Sequence, residues 1–316
     1  MKKISIIAPC YNEEDNLQDY YDEIQRVFNE INKKFKEKID YEIIFADDNS
    51  KDNSVELIKK LAQDNERIKL IVNRQNYGVY KNTFNAIKYA SGDALVPMLP
   101  IDMQDPPNLL ITFVEFWLSG NDVIVGTRYE RKENFLMRNI RRLYYRMASR
   151  FSDINLIKYA GEYQLLDKSI YEELFEIDDY YPYIRGLIAS LTSDYVEVPY
   201  KWEERNKGKS NYKLSDYYDH AINGIVSTST SPLRRLSFYG IIFSLILMVV
   251  SVVQGFIFLF INSDLISGGT VTVLFIVSTF SFLILLITSV MSEYVSAIHN
   301  QVRRNFRVIE KEKINL

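Results

Sequence analysis

Four short segments carry the residues best placed to do chemistry. The first reads Ala8-Pro-Cys-Tyr-Asn-Glu-Glu14, the second Asp47-Asp-Asn-Ser-Lys-Asp52, the third Asn76-Tyr-Gly78 and the fourth Asp102-Met-Gln-Asp-Pro-Pro107. Taken singly, each has an ordinary reading. Asp47-Asp-Asn-Ser50 is a helix N-cap as readily as a site. Asn12-Glu13 can cap a following helix, and Gly78 can supply a turn with positive φ. Capping does not account for all four in this order and spacing, and together they predict one polar ligand crevice. Other chemistries are closed off. Cys10 is the only cysteine, which excludes an intrachain disulfide and a Cys-built metal cluster. With no His near it in sequence, it reads as a small buried thiol rather than a nucleophile. The two histidines, His220 and His299, are too far apart in sequence to make a zinc site by themselves.

The elements that must position these segments follow from periodicity. Short apolar runs at 4–8, 41–46, 68–72, 94–98 and 122–125 read as strands. Between them, 14–35, 54–62, a stretch through 83–89 and 108–118 read as helices. The first of these places Leu17, Tyr20, Tyr21, Ile24, Val27, Phe28 and Ile31 at helical spacing. Such alternation predicts an α/β domain whose mostly parallel sheet is covered by helices and binds ligands at the carboxyl ends of its strands. Each polar segment follows one of those strands.

Composition changes near residue 232. Beyond it, the runs 236–262 and 271–291 contain no Asp, Glu, Lys or Arg. As helices each is about 30 Å long or more, enough to cross a bilayer core. They predict a C-terminal two-helix transmembrane hairpin. Arg234 and Arg235 precede the first run, and Arg303, Arg304 and Arg307 follow the second, whereas the connection 262–269 carries Asp264 and no Lys or Arg. The positive-inside rule therefore puts both termini and the soluble domain in the cytoplasm. The runs hold no ionisable residue to mark a path, which disfavours a pore or flippase. The N-terminal run 4–8 is too short for a signal peptide. A net charge of −3, from 38 Lys and Arg against 41 Asp and Glu, gives no basic face for nucleic acid.

Two further stretches suggest membrane contact. In 135–151, Leu136, Ile140, Leu143, Tyr144, Met147 and Phe151 share a helical face, with Arg138, Arg141, Arg142, Arg146 and Arg150 around it. This reads as an interfacial helix that attracts anionic headgroups or a lipid phosphate. A solvated basic helix packed on the sheet has the same pattern. The segment 214–231 is a second amphipathic stretch, ended by Pro232. The predicted organisation is a cytoplasmic domain at 1–212, an interfacial segment at 213–233, two spans within 234–293 and a cytoplasmic tail at 294–316.

Pro9-x-Tyr-Asn-Glu13, Asp47-Asp-Asn-Ser50, Asn-Tyr-Gly78 and Asp102-x-Gln-Asp-Pro-Pro107, in that order, resemble the family 2 glycosyltransferases of GT-A fold. The closer resemblance is to their membrane-anchored polyprenyl-phosphate subgroup, which includes bactoprenol glucosyltransferases and dolichol-phosphate mannose synthases. Ala160-Gly-Glu-Tyr-Gln-Leu165, Arg185-Gly-Leu187, Gly208-Lys-Ser-Asn-Tyr212 and the hairpin extend it over essentially the whole chain. The resemblance implies a GT-A nucleotide-sugar-binding domain. It also implies inverting transfer from a nucleotide diphosphate sugar, a UDP-hexose such as UDP-glucose favoured, to polyprenyl (undecaprenyl) phosphate. The setting would be the cytoplasmic face of a bacterial inner membrane and the purpose cell-surface glycan synthesis. A homo-oligomer is compatible with it. The acceptor is already anionic near neutral pH and needs positioning more than a strong base.

Residue roles follow from the resemblance position by position. Pro9, Tyr11, Glu13, Asn76 and Gly78 would line the nucleotide pocket, with Asp48 reading the base and Asp47 beside it. Asp102 would ligate Mg²⁺ or Mn²⁺, Glu162 would lie near the reacting centre where relatives carry Asp, and Arg185 would hold phosphate. Arg138, Arg141, Arg142, Arg205, Lys209, Ser210 and Tyr212 would form the acceptor and phosphate side, for which Arg's forked geometry is suited. The chain departs from the family pattern at Gln75 for Arg, Glu162 and Gln164 for Asp and Arg, and Asn211 for Lys. The largest departure is Pro100-Ile-Asp102 in place of Asp-x-Asp, because a hard cation takes one or two carboxylates with the donor phosphates. Two alternatives share the fold: a different lipid or glycan acceptor, or a binding protein that has lost catalysis.

Overall fold

In the computed structural model, residues 1–130, 157, 160–177, 182–203, 266–303 and 308–316 are described, with scattered helical positions between 238 and 253. The chain divides into two compact units. One comprises residues 1–150, 154–224 and 304–316; the other comprises 151–153 and 225–303.

The first unit is an α/β layer structure. Its elements run β1 (Lys2–Cys10), α1 (Leu17–Lys34), β2 (Ile39–Asp47), α2 (Ser54–Asp64), β3 (Ile68–Asn73), α3 (Val79–Ile87), β4 (Ala94–Val96) and α4 (Leu109–Leu118). There follow β5 (Val123–Glu130), β6 (Ala160–Asp167), α5 (Ile184–Leu191) and β7 (Val196–Lys201), and the chain ends in β8 (Glu310–Ile314). The sheet has eight strands in the order β7-β5-β6-β4-β1-β2-β3-β8. β1 pairs in parallel with β2 and β4, as do β2 with β3 and β5 with β7. β6 runs antiparallel between β4 and β5, and β8 antiparallel along β3.

This register decides where chemistry can happen. Strand order reverses beside β1, with β2 on one side and β4 on the other, and such switch points open a crevice at the carboxyl edge. The loops after β1, β2, β3 and β4 all leave that edge. Because β6 and β8 are antiparallel, their first residues, Ala160-Gly-Glu162 and Glu310, lie at the same edge, as do the last residues of β5 and β7. Burial on both faces explains the strands' near-continuous apolar runs. On one face Ile4, Ile6, Ala8, Ile43 and Phe45 pack with Leu17, Tyr20 and Ile24 of α1, Ile58 of α2 and Phe113 of α4. On the other, Ile7, Ile44, Ala46 and Ile71 pack with Ala86 and Ile87 of α3 and with Ile184 and Ile188 of α5.

The predicted strands and helices of the first 125 residues are present at the expected places. β6, β7 and β8 were not anticipated. β8 is the notable case: the end of the stretch read as a tail is a strand of the sheet.

In the second unit α6 spans Ile266–Arg303 and contains the predicted second apolar run. Thr279–His299 within it is long and apolar enough to cross a membrane, and Val277, Phe282, Leu285 and Ile298 are exposed. The first apolar run falls mostly outside the described residues. One described position in it, Gly240, approaches α6 closely enough that an added Cβ would meet Ile287 Cδ1 at 3.2 Å.

Candidate active site

The loops after β1 and β2 are stitched to each other by side chains. Asn12 N–H donates to Ser50 Oγ (2.9 Å) and Asn12 Oδ1 accepts from Lys51 N–H (2.7 Å). Glu13 N–H donates to Ser54 Oγ, Glu14 N–H to Asp52, and Glu14 Oε2 accepts from Asn53 through both its backbone and side-chain nitrogens. Asn12 and Asn49 adopt left-handed backbone at φ 56° and 66°, which asparagine tolerates better than most residues. The polar residues that looked like helix caps are thus cross-loop staples, and neither α1 nor α2 has a side-chain cap. Asp47 is fully buried and accepts from Ser50 N–H (3.0 Å) and Ser50 Oγ–H. Burial pushes its carboxyl pKa up, against the hydrogen bonds from Ser50. Pro9, Tyr11 and Glu13 stand at the end of β1 and the start of this paired loop, with Glu13 Oε2 accepting from Asn16 Nδ2 (2.7 Å).

Asp48 organises the third loop. Its Oδ1 accepts from Tyr77 N–H (2.9 Å) and Asn73 Nδ2 (3.0 Å), and its Oδ2 from Gly78 N–H (2.8 Å). Burial raises its pKa, with the N–H donors opposing the rise. Gly78 has φ 87° and ψ 153°, a conformation essentially reserved for glycine, and this turn aims its N–H at Asp48. Asn73 also donates to Asn82 Oδ1 (2.8 Å), and Asn82 donates to the Ala46 carbonyl (2.6 Å), closing a buried polar net behind the loop. Asn76 is exposed, its Oδ1 accepting from Gly78 N–H (3.1 Å).

The fourth loop is held from beneath. Asp105 is buried, and Arg128 of β5 meets it with Nε to Oδ1 (3.1 Å) and Nη2 to Oδ2 (2.6 Å). Tyr200 Oη of β7 also donates to Asp105 and lies 2.9 Å from Arg128 Nε. The guanidinium is buried, yet Asp105 and Tyr200 outweigh the desolvation and raise its pKa further. Trp202 stacks on the same guanidinium at 5.6 Å, and Glu203 N–H donates to the Gln104 carbonyl (3.0 Å). Asp102 is half-buried at the turn that this assembly braces, its Oδ1 accepting from Gln104 N–H (3.2 Å). Met103, next to it, is left-handed at φ 55°, a strain of about 1 kcal/mol for an unbranched side chain.

Glu162 and Arg185 come together at the start of β6. Glu162 Oε1 accepts from Tyr80 Oη (3.2 Å) and lies 3.5 Å from Arg185 Nε. Its Oε2 is buried and has no hydrogen-bond partner among the described residues, which leaves an acceptor for a ligand. Arg185 is oriented by the Tyr183 ring and hydroxyl and by the Ala160 carbonyl, to which its Nη1 donates (3.0 Å). The family resemblance pointed to Glu162 and Arg185, which the structure brings together; their neighbours Tyr80 and Tyr183, and the Arg128 and Tyr200 that hold Asp105, were not anticipated. Only Tyr80 carried any signal, two residues beyond Gly78. Arg138, Arg141, Arg142, Arg205, Lys209, Ser210 and Tyr212, like the two amphipathic stretches at 135–151 and 214–231, lie outside the described residues.

Among the described residues, no three His, Cys, Asp or Glu side chains converge as a metal-binding group. Asp105 is committed to Arg128 and Tyr200, and Asp102 is the other carboxylate of this loop. Such a donor set does not hold a cation alone. It fits Mg²⁺ or Mn²⁺ as an ion shared with a donor diphosphate and water, the arrangement in which Mg²⁺ is commonly bound.

The profile of Glycosyl transferase family 2 matches residues 5–175, more than half of the chain. The uncharacterized glycosyltransferase YkcC of Bacillus subtilis is 29% identical over 315 residues, covering 97% of this chain and 93% of that protein. The bactoprenol glucosyl transferase of Shigella phage SfV is 27% identical over 240 residues, 76% of each chain. Among solved structures, residues 1–349 of S. aureus TarS align over 71% of this chain and 64% of that one, with 13% identity and a TM-score of 0.42. The four polar loops at the carboxyl edge of the sheet lie in order inside the matched span, and the chain belongs to glycosyl transferase family 2.

Proposed function

We propose that this glycosyltransferase transfers a hexose from a nucleotide diphosphate donor to polyprenyl phosphate at the cytoplasmic face of a membrane, with inversion. The observation that carries the reading is the convergence, on one sheet edge, of the Asp48-organised loop, Asp102 and the Glu162–Arg185 pair. A phosphate oxygen of the acceptor forms the new bond to the anomeric carbon. The bond from that carbon to the donor's β-phosphate oxygen breaks, and its electron pair leaves on the nucleoside diphosphate. The acceptor is already ionised, so no base is needed, in keeping with the lack of histidine among the described residues of these loops. Pro9, Tyr11, Asp47, Asp48, Asn76 and Gly78 hold the nucleotide, and Arg185 carries positive charge toward phosphate. Glu162, through its unpartnered oxygen, accepts a hydrogen bond from a sugar or acceptor hydroxyl group. A divalent cation bound at Asp102 would offset charge on the departing diphosphate.

The acceptor is supported by the name of the phage relative, a bactoprenol glucosyl transferase, and by the apolar α6. β8 supports a two-span anchor. The chain leaves the sheet after β7 and re-enters it as β8, and if α6, which is long and apolar enough, crosses a bilayer, a second crossing is required. The close approach of Gly240 to Ile287 supports a partner helix from the first apolar run. The test is incubation of the detergent-purified protein with labelled UDP- and GDP-hexoses and a choice of undecaprenyl phosphate, diacylglycerol or a soluble glycan. The reading expects label in undecaprenyl phosphate. Label in another acceptor moves the function to the alternative transferase, and donor binding without transfer moves it to a binding protein.

A further inference from the structure

The strand that follows the apolar helix holds the donor loop from behind. Ile309 N–H donates to Tyr77 Oη (3.2 Å), and the Ile309 carbonyl accepts from Arg74 N–H (2.9 Å). Tyr77 is thus bound at both ends: its hydroxyl to the segment entering β8, its backbone N–H to Asp48. Beyond it β8 runs along β3 with Val72 opposite Glu312 and Leu70 opposite Ile314, and a register shift between Val72 and Asn73 marks where β3 gives way to the loop.

The strand is itself anchored by polar contacts. Glu310 is 11% exposed and accepts from Asn85 Nδ2 (2.7 Å) and Tyr89 Oη (2.8 Å), with Lys313 at 2.8 Å and Lys88 at 3.2 Å. Burial alone would raise its pKa; the hydrogen bonds from Lys313, Asn85, Tyr89 and Lys88 hold it down at about 2. Asn85, Lys88 and Tyr89 sit on or just after α3, the helix that opens at the donor loop. At the other end Lys59 of α2 pairs with Glu312 (2.9 Å), and Asn315 Nδ2 donates to the Ala62 and Ile68 carbonyls, each at 2.9 Å. These contacts hold the short strand on both sides of its partner. An ordinary tail would have no need of them.

We propose that β8 is a positioning element of the nucleotide site, acting through Tyr77. It fixes the 74–78 loop in the one arrangement where the Tyr77 and Gly78 N–H groups both meet Asp48. The inference rests on the nucleotide reading of the Asp48 loop. It predicts an effect mainly on donor binding, because Glu162 and Arg185 lie on β6 and α5, whereas the polar contacts of β8 go to β3, α2 and α3.

The test compares the native protein with a chain ending at Arg307 and with Tyr77→Phe, which removes only the hydroxyl. Amide hydrogen exchange reads the loop without any ligand, and calorimetric titration with UDP and with GDP reads the site. Truncation should speed exchange at Tyr77 and Gly78 at least tenfold with α1 amides unchanged. It should also weaken binding of the preferred nucleotide about tenfold and raise donor KM similarly, with kcat within about twofold. Tyr77→Phe should show the same pattern at roughly threefold and guards against a truncated chain that does not fold. Native exchange rates and native nucleotide affinity in both variants would overturn the proposal alone. A native protein that binds neither nucleotide would overturn the site reading and this inference with it.

Discussion

Arg128 grips Asp105 with a two-pronged ion pair, Nε on Oδ1 at 3.1 Å and Nη2 on Oδ2 at 2.6 Å, beneath the turn that presents Asp102. Asp105 is buried and Arg128 largely so, and the pair is therefore costly to break singly. Asp105→Ala should destabilise the protein by about 3–5 kcal/mol, because a buried guanidinium loses its counterion. The double variant Asp105→Leu with Arg128→Met should recover a large part of that loss, yet still lower activity, since Asp102 would lose its brace. Chemical denaturation of the single and double variants checks this; equal destabilisation by both would show that the ion pair is not what matters.

At the start of β6, Glu162→Gln keeps an oxygen for Tyr80 and removes the charge opposite Arg185. It should lower kcat about a hundredfold, the scale of one lost electrostatic contact in a transition state, with nucleotide affinity within about twofold. Arg185→Lys should fail to rescue an Arg185→Met loss, because a lysine cannot serve Glu162, Tyr183 and the Ala160 carbonyl together. Steady-state kinetics decide both points.

Gly78→Ala should cost roughly 1–3 kcal/mol locally, since φ 87° with ψ 153° lies outside the range of residues with a Cβ. The space around it is open, so the effect is conformational and not steric. The expected outcome is weaker nucleotide binding with little loss of global stability, measured by titration alongside thermal melting.

The parallel half of the sheet was legible because its strands are buried on both faces and written as apolar runs, each followed by a polar loop. The same patterning marked the loops that carry Asp48 and Asp102, whereas Glu162 and Arg185 were reached only through the family resemblance. β8 was not legible: Glu310-Lys-Glu-Lys-Ile314 is an alternating charged edge strand with one apolar residue, and its partners on α2 and α3 are over 200 positions away. The loop staples were not legible for a related reason. Asn12 and Ser50 have the composition of helix caps, and only the pairing of β1 with β2 brings their loops side by side. Pro100 cost the metal motif one carboxylate. Sequence alone also gave no hint that Asp105 is bound to Arg128 and Tyr200.

At the opposite edge of the sheet, Glu42 is buried and meets Lys3 (2.5 Å), Lys69 (3.1 Å), Ser5 Oγ (2.6 Å) and Ser91 N–H (2.8 Å). Burial would raise its pKa, and Lys3, Ser5 and Ser91 bring it from 4.5 down to about 2. A depressed folded pKa contributes stability that is present above 4.5 and lost as pH falls toward 2, at most about 3 kcal/mol. Glu42→Gln should lower stability at pH 7 and flatten its decline between those values. Urea melts from pH 6 to pH 2.5 on native and variant check the slope.

The central claim is that the crevice around Asp102 moves a sugar onto a lipid phosphate. The most direct measurement is the rate at which label passes from nucleotide sugar into organic-soluble undecaprenyl-phosphate product, for the native chain and Asp102→Ala, with and without EDTA. The account predicts a native rate that falls in EDTA and returns with Mg²⁺ or Mn²⁺, and a drop of about a hundredfold to a thousandfold in Asp102→Ala. Lipid labelling that is equally fast in the variant, or no lipid labelling by the native protein from any donor, would contradict it.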